Sequence, residues 1–560
     1  MVRQILRRIT APVRGLHQAA YLLAALTLVS QVLALLRDRT FAHTFGAGQV
    51  LDLYYAAFRV PDLVFALVSS LVSAYVIIPR ITGMGQEETR RLLSETASFL
   101  LLVGGGICVI LAIGMPEFLE ILYPNFISPS SEATFVALSR LLLVQPILLG
   151  LSGVIGSVAQ VHRRFVLFAL SPVLYNVGII IGVAVFYPRW GLLGIGVGVV
   201  LGAVAYLAVN IPVLVQTGLV PRLCLPEMRR MVSVMRDSLP RSLALGVGSV
   251  TALALTAIAS RLGTGVVSVL TFASNLEAVP LALIGSSYAV AAFPALSEAS
   301  ALQKRNEFTA VLSASARHII LWSMVALGLI VVLRAHIVRV ILGTGAFDWN
   351  ATRLTAALLA VLSIGLAAQG LVLLFSRALY AARQSWRPLG YQILAGILTV
   401  VLAWSFLRAA TGETLGVIAR LLRVADVPGT AVLLVAFATT LGQLALVALS
   451  LVALRNVTPG LATMLGRSLR DGGLSALLGA GAAYGVLAIE GGLAPLTTLA
   501  AVCIQGTIAG VVGLAVAGLT LFFVENEEFR IVSGALSKLL RLSGPSTAVL
   551  SPSAEEHALP

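Results

Sequence analysis

The sequence predicts an all-α polytopic membrane protein of about 14 transmembrane helices, with two parallel six-helix lobes plus two C-terminal helices. Three observations predict this. The 560 residues are 58% hydrophobic and 11% charged, with mean hydropathy +0.98, whereas soluble domains carry about 25% charged residues. Apolar windows long enough to cross a bilayer at about 1.5 Å per residue recur from end to end, with no polar interval large enough for a soluble domain. The chain also resembles itself: FGAG (45–48), leading to Pro61 and Pro79, returns as LGTG (262–265), leading to Pro280 and Pro294. AQVHRRFVLF (159–168) is likewise echoed by AARQSWRPLG (381–390). A repeat of six helices is even, so both copies insert the same way up, with a substrate path between them.

Taken in order, the candidate spans are 18–37, 53–79, 94–115, 134–159, 165–187 and 192–216, then 240–261, 267–295, 313–334, 353–382, 387–408 and 430–454. Two more, 472–489 and 494–524, fall outside the repeat. The expected organisation is a cytoplasmic amphipathic N-terminus (1–17), an N-lobe (18–220), a C-lobe (221–460), two added helices (461–524), and a cytoplasmic amphipathic stretch with a disordered tail (525–560). The start, MVRQILRRITAPVRGLHQ, is basic, and the apolar run after it has no small-x-small cleavage site, so a retained first span is expected. With the N-terminus inside, 26 of the 38 basic residues fall in cytoplasmic segments and 10 in outer ones, which places both termini in the cytoplasm. The net charge of +14 then reports topology and contact with anionic membrane lipids, not nucleic acid.

The polar chemistry concentrates in 37–79, RDRTFAHTFGAGQVLDLYYAAFRVPDLVFALVSSLVSAYVIIP. This stretch sets Arg37, Asp38, Arg39, Asp52, Arg59 and Asp62 inside or beside segments otherwise apolar enough for a bilayer. A central Arg or Asp costs about 2.5–3.5 kcal/mol on insertion scales, so such groups face a wet cavity and mark a substrate or ion path. Snorkelling at one interface is the competing reading. It suits Arg37 to Arg39 but not Arg59, which lies inside the span two residues before Pro61. Arg59 is therefore expected between the lobes near Arg37 and Asp52, with Asp52 neutralising the arginines or holding them apart. Arginine is a forked, permanently charged donor, which lysine is not. Only Lys304 and Lys538 occur, both in predicted cytoplasmic segments.

Other features are weaker. Glu117 and Glu120 sit in an outer loop, and the glycine runs at 104–106 and 194–198 lack a following Lys or Thr. Cys108, Cys224 and Cys503 are scattered and the six histidines dispersed, so no enzyme, cofactor or metal site is expected. Asp52 is the one good candidate for a membrane-embedded carboxylate that couples a cation, and helices seven and eleven offer none for sodium. Gly194, Gly198 and Gly202 form a small-residue stripe read as ordinary close packing. GETLGVIARLLRVADVPG (412–429) reads as a surface-lying outer helix.

The segment RDRTFAHTFGAG…DLYYAAFRVPDL…P (37–79) resembles the first two helices of MurJ-type (MviN) lipid II flippases of the MOP exporter superfamily. LPRSLALGV (239–247) with ASRLGTGVVS (259–268) resembles that family's helix seven and its exit. GTGAF (343–347) resembles its GxGxF turn, and SRALYAARQSWRP (376–388) its RAFYAxxDTxTP segment. The resemblance implies a flippase of the bacterial cytoplasmic membrane. It would move the undecaprenyl-diphosphate-linked peptidoglycan precursor (lipid II) from the inner to the outer leaflet by alternating access. A cationic central cavity would hold the head, and the two added helices would form a groove for the lipid tail.

The resemblance also implies roles for residues. Arg37 and Asp52 match cavity positions, Arg59 matches a basic position, and Ser268 matches a serine near the cavity in helix eight. Where the family pattern has three further arginines, this chain has Ser30-Gln31, Phe65-Ala66 and Ser274-Asn275. Arg39, Arg59 and Arg140 are candidates to restore that charge, and Asn275 takes its place in the cavity wall. Expected partners are the lipid-linked precursor, membrane lipids and cell-wall synthesis proteins. An exporter of another polyprenyl-linked glycan or of drugs, and a non-transporting wall-synthesis scaffold, are the alternatives.

Overall fold

The computed structural model describes residues 16–68, 74–124, 129–162, 164–455, 457–491 and 498–542. The amphipathic N-terminus expected before Leu16 and the tail expected after Leu542 lie outside these. All regular structure among the described residues is helical. In hydrocarbon every backbone N–H and C=O must find a partner within its own segment, so apolar runs of this length become helices.

The main helices are α1 (Leu16–Phe45), α2 (Gln49–Leu67), α3 (Gln86–Ile113), α4 (Ser131–Val161), α5 (Phe165–Trp190) and α6 (Leu192–Thr217). They continue as α7 (Met228–Ala259), α8 (Val266–Ala301), α9 (Arg305–Ile341), α10 (Trp349–Ser363 and Leu366–Ala381), α11 (Trp386–Ala409) and α12 (Val432–Leu454). The last two are α13 (Leu461–Gly491) and α14 (Leu499–Phe523). Of the described helices, 11 are long and apolar enough to cross a membrane, and α10, bent by 47° at its break, makes 12. That test yields 11 or 12 spans where the sequence predicts 14. One reason is α2, where Asp52, Arg59 and Asp62 put three charges into 19 residues.

Two boundaries differ instructively. Of the span expected at 53–79, the described residues form α2, which ends at Leu67, and a helix at Ala74–Ile81, and 69–73 lie outside the described residues. Helix α7 begins at Met228, twelve residues before the apolar window, because a helix continues past hydrocarbon wherever water satisfies its polar face.

Helix partnering recurs at an interval of six. Helix α1 packs on α5 as α7 packs on α11, α5 on α6 as α11 on α12, and α2 on α4 as α8 on α10. Helices α13 and α14 pack on each other and on α9, outside this pattern. The glycine stripe of α6 is used within the chain. A Cβ on Gly198 or Gly202 would strike the backbone of α5 at Gly182 or Tyr175, so these helices touch backbone to backbone. The surface segment forms a helix at Gly412–Leu421, capped by the Thr411 hydroxyl on Thr414 N. The C-terminal amphipathic stretch forms Glu527–Leu542, tied to α9 by Glu528–Arg317 at 2.6 Å and to α13 by Asn526 donating to Asp471 at 3.1 Å.

Candidate substrate site

The first six helices meet the next six at a seam where three glycine turns interlock. Gly46, Gly265 and Gly345 adopt φ of +60°, +82° and +59°, which L side chains rarely tolerate. A Cβ on them would strike the carbonyls of Ala346, Ala47 and His43 respectively. FGAG, LGTG and GTGAF are thus one contact surface. The Ala346 amide donates to the His43 carbonyl at 2.9 Å, and His43 Nδ1 lies 3.0 Å from Thr344 Oγ1.

Charges from the first half cap helix ends of the second. Gly265, at the N-cap of α8, has no side chain to offer. Asp52 of α2 fills that role: its carboxylate accepts from Gly265 N at 2.5 Å, Ser268 N at 2.7 Å and Ser268 Oγ at 2.5 Å. Arg39 does the converse at the C-terminal end of α9, donating to the carbonyls of Val340 at 2.6 Å and Ile341 at 3.2 Å. An anion at a helix N-terminus and a cation at a C-terminus each contribute about 0.3–1 kcal/mol, or up to ~2 when partly buried. A ring cluster stiffens the same region. Phe41 packs on Tyr54 at 4.9 Å, Tyr55 on Phe272 at 6.0 Å, and Phe272 on Phe347 at 5.6 Å, so the cluster crosses between the halves. A cavity of about 440 Å³ opens beside the seam, lined by Gln49, Asp52, Ser260, Arg261 and Thr264.

Deeper along the helices lies a second layer. The half-buried Arg37 holds buried Asp38 through Nε at 3.0 Å and Nη2 at 2.8 Å, and its Nη1 donates to Asn176 of α5 at 3.1 Å. Asn275 of α8 donates to the other Asp38 oxygen at 2.9 Å, so an unbroken polar chain runs from α5 through α1 to α8. Arg59 reaches across to α7, where Nε donates to Thr256 Oγ1 at 2.8 Å. Neither Nη group of Arg59 has a hydrogen-bond or ion-pair partner among the described residues.

Of the six predicted site residues, Arg39, Asp52, Arg59, Ser268 and Asn275 each bond between the halves, and Arg37 reaches the second half through Asp38. Their tasks differ from expectation. Asp52 does not neutralise the arginines, because three donors at the start of α8 already hold its carboxylate; Asp38, adjacent in sequence to Arg37, takes that role. Of the predicted arginines, Arg39 is committed to helix-end carbonyls, whereas Arg37 and Arg59 keep N–H groups to spare. Arg140 does not join them, since its Nε donates to Ala112 O at the end of α3, at 2.7 Å.

Sequence reasoning missed Asn176, Thr256 and Glu277. Buried Glu277 of α8 accepts from Gln369 Nε2 of α10 at 2.6 Å, close to the break in α10 and one turn before a π-helical turn at Ala282–Ser286. The available signal was a lone carboxylate inside an apolar window, which averaging over the span conceals. No group of three or more His, Cys, Asp or Glu side chains able to hold a metal ion occurs among the described residues.

Residues 41–417 match the family described as "Lipid II flippase MurJ". The chain belongs to the MurJ family. The lipid II flippase MurJ of Burkholderia cenocepacia is 25% identical over 401 residues, covering 69% of this chain and 77% of that one. The probable lipid II flippase MurJ of Vibrio cholerae is 25% identical over 418 residues, covering 70% and 78%. Among solved structures, a lipid II flippase MurJ in an "inward closed conformation" superposes with TM-score 0.72 at 18% identity, covering 90% of this chain and all of that one. An inward-facing multidrug resistance MATE transporter of the MOP superfamily gives 0.59 at 16% identity, covering 75% and 95%. The MurJ fold is thus shared across the chain, and the MATE likeness shows the wider architecture. MurJ proteins are transporters.

Proposed function

We propose that this chain flips lipid II, the undecaprenyl-diphosphate-linked peptidoglycan precursor, from the inner to the outer leaflet of the bacterial cytoplasmic membrane by alternating access. One observation carries the reading to this chain's own residues. Arg37 and Arg59 lie below the seam, Arg59 with neither Nη group partnered among the described residues and Arg37 with one N–H of each Nη group beyond its bonds to Asp38 and Asn176. A diphosphate can take bidentate bonds from such donors. In this reading the seam of Gly46, Gly265 and Gly345 closes the outer end, and its opening releases the head group outward. Asp38 balances Arg37 while the site is empty, which limits self-repulsion among the cations.

The same reading divides the chain into an N-lobe (18–220), a C-lobe (221–460) and a lipid-tail groove from 461–524, with both termini cytoplasmic. The six-helix recurrence of packing supports the two lobes, and the bias of basic residues supports the orientation. An inside-negative potential would favour outward movement of an anionic head by about 2.3 kcal/mol per charge per 100 mV. Cell-wall synthesis proteins are the proposed protein partners. Complementation of a bacterium depleted of its own lipid II flippase tests the proposal. Growth with normal wall synthesis is expected, and lysis despite normal membrane insertion would overturn it.

A further inference from the structure

We infer that the crevice between α9, α10 and α13 is a second binding site, built for the phosphate of a membrane lipid and separate from the site between the halves. The cavity holds about 760 Å³, and its polar lining comes from Arg334, His336, Trp349, Arg353, Arg423 and Tyr484. Three guanidinium groups line the crevice, and among the described residues no carboxylate lines it with them. The nearby acid, Asp426, is held by Arg353 through two bonds of 2.6 Å each. Arg423 stands exposed at φ +60°, and its side chain has no partner among the described residues. The half-buried Arg334 lies within coulombic reach of Arg423 and, among the described residues, bonds only the carbonyl of Val331, on its own helix. His336 pairs through Nε2 with Gln505 of α14 at 3.0 Å, while its buried Nδ1 has no partner among the described residues. Half-buried Arg334 faces the like charge of exposed Arg423, and an anion that joins the two relieves that repulsion.

The remaining walls name the anion's carrier. Val331, Val332, Leu487 and Ala488 give the crevice an apolar side, which a soluble phosphate would leave wet and an acyl or prenyl chain would cover. Trp349 and Tyr484 are the ring types that sit at head-group level. The crevice lies at the end of α9 and the start of α10, the outer leaflet in the orientation proposed above. A phospholipid and a polyprenyl diphosphate share the chemistry that this site recognises.

The test uses the full-length protein in a non-ionic detergent, with retained lipid counted by native mass spectrometry during titration. Phosphatidylglycerol should be retained, and dioleoylglycerol, which lacks phosphate, should not. Arg334→Gln with Arg423→Gln should weaken phosphatidylglycerol binding about twenty-five-fold, from roughly fivefold per cationic group. Ala335→Trp, at an exposed lining position, keeps every arginine, fills the crevice and should also expel the lipid. Displacement by geranylgeranyl diphosphate at lower concentration than by phosphatidylglycerol assigns the site to a polyprenyl lipid; the reverse order assigns it to phospholipid. Equal retention by the wild type and both variants, equal retention of dioleoylglycerol, or displacement by inorganic phosphate at the same concentration as by phosphatidylglycerol would each overturn the inference.

Discussion

Asp52 caps a helix to which it is not joined: its carboxylate takes the Ser268 amide at 2.7 Å and the Ser268 hydroxyl at 2.5 Å, 216 residues further along the chain. This bond ties the second helix to the eighth and closes the seam. Asp52→Asn keeps one acceptor oxygen but loses the charge facing the helix N-terminus, at a cost of about 1–2 kcal/mol. A cysteine at buried Val267 should then react about five- to thirtyfold faster with a small thiol reagent, in a chain whose native cysteines are replaced. Unchanged reactivity would mean that the carboxylate does not hold the seam.

Arg59 separates a binding role from a structural one. Loss of one charge-assisted contact costs about 1.5–3 kcal/mol, or roughly ten- to a hundredfold in substrate interaction. Arg59→Ala should insert normally yet fail to support growth in the depleted host. Arg59→Lys should rescue only in part, because the forked geometry is lost. Full growth with Arg59→Ala would remove Arg59 from the site.

Glu277 and Gln369 form a pair whose members depend on each other. Gln369→Leu leaves a buried carboxylate without its donor at 2.6 Å and should destabilise the protein by about 1–3 kcal/mol, whereas replacing both residues by Leu should recover most of that loss. Thermal unfolding of the two variants and of Glu277→Leu in detergent gives the coupling. Additive single effects would show that the bond contributes nothing.

The exposed pair Arg353–Asp426 predicts a pH response. Hydrogen bonds from Arg353 hold the Asp426 carboxyl below its ordinary range, so the pair stabilises its loop at neutral pH. That contribution persists above the ordinary aspartate value of about 3.9 and is lost as pH falls below it through the depressed folded-state value. Amide exchange in 423–427 should be steady from pH 7 to pH 5 once corrected for intrinsic rate. Asp426→Asn should accelerate it throughout, and an identical profile for the variant would dismiss the pair.

The proposed orientation has its own check. Single cysteines at Gly85, Gln303 and Ser385 should be shielded from an impermeant thiol reagent in intact cells, and one at Gly412 should be labelled. Labelling of the first three from outside would invert the topology.

Much of this protein is determined by sequence alone. Apolar windows had to become helices because hydrocarbon offers the backbone no other partner, and the recurrence of FGAG as LGTG announced two similar halves. Of the residues named from sequence, Arg39, Asp52, Arg59, Ser268 and Asn275 each bond across from one half to the other, in keeping with the tendency of polar groups in apolar segments to seek the protein interior or a wet space. Only the tertiary structure decided what each one does there. Pattern could not tell that Asp52 would serve a helix end while Asp38 balanced Arg37, because both are aspartates in otherwise apolar surroundings and the choice depends on which donors arrive from more than 200 residues away. The third partner of the glycine seam, GTGAF, was visible as a motif but not as a contact. Nor could hydropathy register Asn176, Thr256 or Glu277, whose roles come from the helix each one faces. Local composition sets which segments enter the membrane, but a polar side chain's function is set by the partner across the interface, and that partner exists only once the helices have packed.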